Sequence, residues 1–329
     1  MVDHLSWRWI FYATSIFQAF LAAIFVLFFR ETYAPTILAH QAARLREELN
    51  DERYTTLHEK GQQQLFQNVS CSSWFPPRRS KVTMAKYRYI LHALSRPLRL
   101  LLLHPVVQIC GLSMAVGYGT LYIILTSLAA LITDVYDTST TTSGLHYLAA
   151  ALGELVAAQL CGPLMDWLYA REKRRIQNPS PPDRASDSHP DVELRPEDTR
   201  MPLVLWTSLT PCIGLLLYGW SARYEVHWFA VDLGVFLAAV GLQVAGMPRT
   251  AYLVDAYPDH VSSAIAASQF LSSLTAFLFP LFTPALYSAL GYGWGNTLVA
   301  GIVAVITVPG AWVLWRFGAR MREKARSSF

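Results

Sequence analysis

Apolar residues in this chain do not alternate with polar ones; they gather in long uncharged runs separated by shorter charged stretches. A helix rising 1.5 Å per residue needs about 20 residues to cross a ~30 Å hydrocarbon layer. Seven runs are of about that length: Trp9–Phe29, Leu100–Leu125, Gly144–Leu168, Pro202–Trp220, Val226–Met247, Ala264–Leu286 and Trp294–Phe317. A helix satisfies its own backbone hydrogen bonds, so each run can sit in lipid where an open strand cannot. The pattern predicts an all-α membrane protein with seven transmembrane helices. The first run is no cleavable leader, because it lacks a small-residue cleavage site and carries Phe25, Phe28 and Phe29 to its end. Three regions follow: a single helix at 1–30, a cytoplasmic linker at 31–97 with one surface helix, and a six-helix bundle at 98–329. A proline- and acid-rich loop at 172–200 interrupts that bundle, and its composition predicts disorder.

Composition agrees with this reading. Hydrophobic residues make up 53% of the 329 positions and charged ones 15%, against roughly 25% charged in soluble domains. The net charge of +4 belongs to no basic domain, so the chain is not expected to bind nucleic acid. It reports topology instead. Twelve Lys and Arg lie from Arg30 to Arg99, seven from Arg171 to Arg200, one at Arg249 and five from Arg316 on, while the alternate connections hold Arg8 and Arg223 alone. Positive loops stay cytoplasmic, which places the N-terminus outside and the C-terminus in the cytosol. That topology also leaves the Asn68-Val69-Ser70 sequon unmodified. Cys71, Cys110, Cys161 and Cys212 form no paired motif and are expected to be reduced.

Seven helices with this orientation also describe a receptor, and local motifs separate the possibilities. Trp7-Arg8-Trp9-Ile10-Phe11, closing on Glu31-Thr32-Tyr33-Ala34-Pro35-x-Ile37-Leu38, resembles the sixth helix and linker entry of fungal drug:proton antiporters of the major facilitator superfamily. The likeness continues in order through Arg96-Pro97 with Pro105, Tyr118-Gly119-x-x-Tyr122, Gly144-Leu145-x-Tyr147 and Gly162-x-Leu164-x-Asp166. It extends through Pro211-x-x-Gly214-Leu215-x-x-Tyr218-Gly219-Trp220, His227-Trp228, Tyr252-x-x-Asp255-x-Tyr257 with Ser263-Ala264, and Gly291-x-Gly293-Trp294-Gly295-Asn296. The resemblance implies the sixth helix plus the C-terminal six-helix half of a two-lobed carrier, with the first five helices unrepresented. Such a chain is either truncated or works with a partner that supplies the N-terminal half.

The resemblance further implies proton-coupled export of small organic molecules, toxic compounds or secondary metabolites, across the plasma membrane. A receptor or non-transporting membrane protein is the alternative. No nucleophile–base constellation, metal-binding motif or phosphate loop is present in the sequence, which argues against an enzyme and against a cofactor.

Within the helices, Glu154 stands near the bilayer midplane, where a carboxylate costs several kcal/mol unless it faces a cavity or a partner. It reads as a proton-titrating or substrate-contacting group, or else as a neutral acid bonded to a neighbouring helix. Asp232 lies nearer the outer interface. Tyr118 and Tyr122, one turn apart, could line a path for an aromatic or polyketide-like substrate together with Gln108, or could simply pack. Gln243 is a further pathway candidate, although such amides commonly join helices. At the cytoplasmic face, Asp166 with Arg171 resembles the family's charged loop motif and could lock an inward gate, and Arg249 with Asp255 could form a related pair. The alternative for all four is a solvated helix end.

Overall fold

The computed structural model describes residues 8–29, 34–49, 55–56, 95–177 and 196–326. Every regular element among them is helical. The chain divides into two units, Met1–Leu91 and His92–Phe329. In the first unit α1 (Arg8–Phe28) carries no charge beyond Arg8, and α2 (Ala34–Leu49) is a polar helix. The sequon and Cys71 lie outside the described residues.

The second unit is a helical bundle. A helical segment at 95–103 ends at His104, and α3 (Pro105–Asp134) begins there. Pro105 therefore occupies the first turn, where a missing N–H does no harm. Next come α4 (Thr140–Gln177), α5 (Pro196–Thr207), α6 (Thr210–Arg223) and α7 (Trp228–Ala256). The predicted run Pro202–Trp220 is thus two helices, parted at Ser208 and Leu209 just ahead of Pro211. The loop expected to be disordered from 172 to 200 is shorter than predicted. Helix α4 continues through Gln177 and α5 starts at Pro196, because the Arg171–Arg175 run is built of good helix formers and Pro196 is preset for a first turn. Positions 178–195 lie outside the described residues.

Among the described residues six helical stretches are long and apolar enough to cross a membrane, and the last, Val261–Arg322, contains 62 residues. At 1.5 Å per residue that is about 93 Å, three times a bilayer core. Gly291 breaks it, with φ 71° and ψ 171°, a backbone conformation that side chains with a Cβ rarely adopt. Two helices result, α8 (261–290) and α9 (292–326), and they fold back on each other. Tyr287 and Tyr292 stack with centroids 4.6 Å apart, and the Tyr287 hydroxyl donates to Asn296 Oδ1 at 3.1 Å. Ala264 and Ala267 of α8 pack in one cluster with Ala311 and Leu314 of α9.

Two apolar clusters fill the bundle. One joins Ile124, Leu128 and Leu131 of α3 to Leu215 and Tyr218 of α6, Val235 of α7 and Val303 of α9. The other joins Val107 and Cys110 of α3 to Val204 of α5, Tyr252 and Leu253 of α7 and Leu314 of α9. Between α6 and α7 the backbones themselves touch. A Cβ on Gly214 would collide with the Ala238 backbone, one on Gly241 with Pro211, and one on Gly234 would stand 2.5 Å from Tyr218 N. Only hydrogen atoms fit between these helices, so glycine is a packing requirement here rather than a source of freedom.

Valine at Gly214 is expected to destabilise the bundle by at least ~1–3 kcal/mol. Gly246→Ala places its methyl where nothing lies within 4 Å and should be neutral or stabilising by about 0.4–1 kcal/mol. A thermal melt in detergent with a thiol-reactive dye, reporting exposure of the buried Cys110, Cys161 and Cys212, distinguishes the two outcomes.

Candidate functional site

Helices α3 and α4 run antiparallel through the tight connection at Val135–Ser139, and the Tyr147 hydroxyl of α4 donates to the Leu125 carbonyl of α3 at 2.7 Å. Seven residues carry each helix about 10 Å further, back to nearly the same face. Counting seven on from Tyr147 reaches Glu154, and seven back from Leu125 reaches Tyr118. These two side chains therefore share one depth on neighbouring helices. That depth is central, because the span Thr141–Arg171 has Val156 as its middle residue. Glu154 is half-buried, and none of its neighbours among the described residues bonds or pairs with it. Tyr118 and Tyr122 are 41% and 42% exposed, so the three line an open face of the bundle.

The other sequence-predicted residues scatter. Gln108 belongs to the first turns of α3, where its Nε2 donates to Leu102 O at 2.8 Å and satisfies a carbonyl at the His104 break; at ten residues, or about 15 Å, before Tyr118 it does not extend that face. Gln243 is half-buried in α7. Asp166 is exposed, and Arg171 packs over the Trp167 ring with its guanidinium 5.4 Å from the centroid. Five positions set Asp166 and Arg171 about 140° apart around the helix, which is why the arginine finds the ring instead of the acid. Arg249 is buried at 5% exposure and donates to Ser208 Oγ at 3.4 Å, bridging α7 to the α5–α6 break. Asp255 is half-exposed and stands six positions on, about 240° around the same helix.

Around Arg249 a polar knot ties the same end of the bundle. Arg322 of α9 donates to the Tyr252 hydroxyl of α7 at 2.5 Å and lies over its ring. The Tyr257 hydroxyl is 3.4 Å from His104 Nδ1. Burial first, and then the proximity of Cys110, push the Tyr257 phenol up to about 12, against the pull of Arg322.

Asp232 has a partner that sequence reasoning missed. His146 Nδ1 of α4 is 2.9 Å from both carboxylate oxygens, the ring and the acid are 9% and 16% exposed, and Trp228 packs edge-on against the imidazole at 5.6 Å. The pair joins α4 to α7 near the end opposite the Arg249 knot. The available signal was a histidine early in one apolar helix and an acid early in another. Among the described residues no cluster of three or more His, Cys, Asp or Glu could hold a metal ion.

Comparison with known proteins decides the family. Residues 1–177 match the family model described as Major Facilitator Superfamily, and a probable efflux pump of Aspergillus flavus is 39% identical over 329 residues, all of this chain and 70% of that protein. The chain belongs to the major facilitator superfamily. An uncharacterized transporter of Schizosaccharomyces pombe is 31% identical over 98% of this chain and 58% of its own length, and an efflux pump of Penicillium aethiopicum is 28% identical over 99% and 57%. This superfamily member thus spans little more than half the length of several curated relatives. No solved structure matches it. Family membership and the long apolar helices make it an integral, multi-pass membrane protein.

A double-mutant cycle measures how much the His146–Asp232 link contributes to this superfamily member's stability. Replacing His146 by Leu leaves a largely buried acid without its donor, and an expected loss of about 1–3 kcal/mol follows. The double replacement of both residues by Leu should recover most of that loss. Strictly additive single effects would show that the pair contributes no coupling.

Proposed function

We propose that this chain is an exporting lobe: helix six and the six C-terminal helices of a proton-coupled efflux carrier for small organic molecules. In this reading the hairpin α8–α9 crosses the membrane twice, bringing the total to seven crossings with the N-terminus outside, the C-terminus cytoplasmic and the plasma membrane as the location. Residues 31–97 are the central linker, and the bundle works against an N-terminal lobe by rocker-switch alternating access. The observation that carries the proposal is Glu154, a midplane carboxylate on an open face with no partner among the described residues, one helix away from exposed Tyr118 at the same depth. Such a group is expensive in lipid and is retained where a water-filled path or an ion needs it.

The mechanism follows from charge. With Glu154 ionised the carboxylate favours the state in which its face is wetted; protonation removes that preference and lets the face close. Substrate held beside Tyr118 and Tyr122 biases the opposite state, since a ligand shifts an equilibrium only by its differential affinity for the two forms. Asp166, Arg171, Arg249 and Asp255 are the inward-side residues in this scheme. In it, exposed Asp166 meets charges on an opposing lobe, while buried Arg249 stiffens the end that pivots.

Cells lacking their own drug pumps, expressing this chain with the N-terminal half of the Aspergillus flavus relative, test the reading. Export of a toxic aromatic compound should rise as external pH falls. Glu154→Gln should cut export at least tenfold and abolish the pH response, with the protein still at the membrane. Equal export by both would remove Glu154 from proton coupling, and no export by either would remove the efflux assignment itself.

A further inference from the structure

A cavity of about 370 Å³ opens between α3 and the α8–α9 hairpin, lined by Thr126, Ser127, Thr283, Ser288, Tyr287 and Tyr292 among others. That lies within the range of small-ligand pockets, roughly 300–1,000 Å³, with room for a fused aromatic ring system. Four of its hydroxyls are biased in one direction. The Thr126 hydroxyl donates to Tyr122 O at 2.8 Å, Thr283 to Phe279 O at 2.9 Å, Ser288 to Ala285 O at 3.0 Å, and Tyr287 to Asn296 at 3.1 Å. Each has spent its hydrogen on the protein and turns remaining lone pairs to any occupant. Pro284, also in the wall, lacks an N–H group and so releases the carbonyl of Pro280, itself a wall residue, from its helical donor. The wall is therefore rich in acceptors.

The apolar part of the wall is aromatic, formed by the stacked Tyr287–Tyr292 pair. No basic side chain lines the cavity. An anion would meet lone pairs without a counter-charge, whereas a hydroxyl-bearing ring system finds acceptors and an aromatic platform. The cavity also continues the candidate face: Tyr122, Thr126 and Ala130 follow one another at helical spacing of four, and the last two line it.

We propose that this α3–α8–α9 cavity is a recognition site for flat, phenolic aromatic molecules, selected by hydrogen-bond donors they present and by absence of negative charge. The proposal rests on the efflux reading only for its consequence, that these molecules are cargo; the binding itself does not require transport.

The test is equilibrium binding to the full chain in detergent, read by quenching of intrinsic fluorescence, with three probes: a trihydroxyanthraquinone, its trimethoxy derivative and an anthraquinone sulfonate. The trihydroxy compound should bind about tenfold or more tightly than either of the others. Ala130→Phe, which fills the cavity, should abolish that binding, and Tyr292→Phe, which removes one hydroxyl alone, should weaken it about five- to tenfold, the scale of a single hydrogen bond. Melting temperature reports folding of each variant, and Tyr292→Phe remains decisive should Ala130→Phe not fold. Equal affinity for the hydroxylated and methoxylated probes, tighter binding of the sulfonate, or unchanged binding in the folded variants would overturn the proposal. Selective binding without cellular export would leave the site standing and remove the efflux reading. Export with no selective binding would do the reverse.

Discussion

Helices in lipid gain almost nothing from hiding apolar side chains, since the solvent is as apolar as the core; they associate where their shapes allow backbones to come close. The contact between α6 and α7 is the extreme case in this bundle. Gly214, Gly234 and Gly241 each place a missing side chain against the backbone of the partner helix, and Gly153 repeats the device where α4 meets the Phe236 carbonyl at 2.7 Å from its would-be Cβ. Helix α7 is thereby held against both neighbours along its length. The hairpin α8–α9 packs chiefly on α3 instead.

With the backbones pinned, the polar side chains inside the bundle have defined partners. Ser127 and Tyr218 bond at 2.8 Å between α3 and α6, Thr275 of α8 and Ala115 O of α3 at 2.5 Å, and Asn296 reaches back to Tyr292 O at 2.9 Å. Each such bond has modest worth, yet each would be costly to leave unmade in hydrocarbon. Of the charged links to α7, His146–Asp232 sits toward one end and Arg249–Ser208 and Arg322–Tyr252 toward the other. Glu154 departs from this pattern: it is half-buried and, among the described residues, makes no hydrogen bond or ion pair, as the buried Thr120 hydroxyl also makes none.

The same economy explains what failed to assemble as expected. Gln108 bonds the local break at His104, because a helix junction offers an acceptor nearer than any substrate path. Arg171 settles on Trp167, because an i to i+5 spacing turns it away from Asp166. Short-range satisfaction wins wherever it is available, and residue type alone does not reveal whether it is.

The runs of apolar residues and the bias of Lys and Arg are properties of each segment against a one-dimensional slab, so the helical class, the segment positions and the membrane setting were legible before any coordinates. The motifs Trp7–Phe11 and Gly291–Asn296 carried the family in the same way. What no pattern along the chain contained was the pairing of sides: that His146 meets Asp232 across 86 positions, that the predicted Tyr122 stripe runs on into a cavity whose far wall comes from a proline-kinked hairpin, and that Pro202–Trp220 breaks at Ser208, where Arg249 reaches in. Hydrophobicity acts on each residue singly and can be read in order. Complementarity between two helix faces exists only once both are folded, and tertiary structure alone decides it.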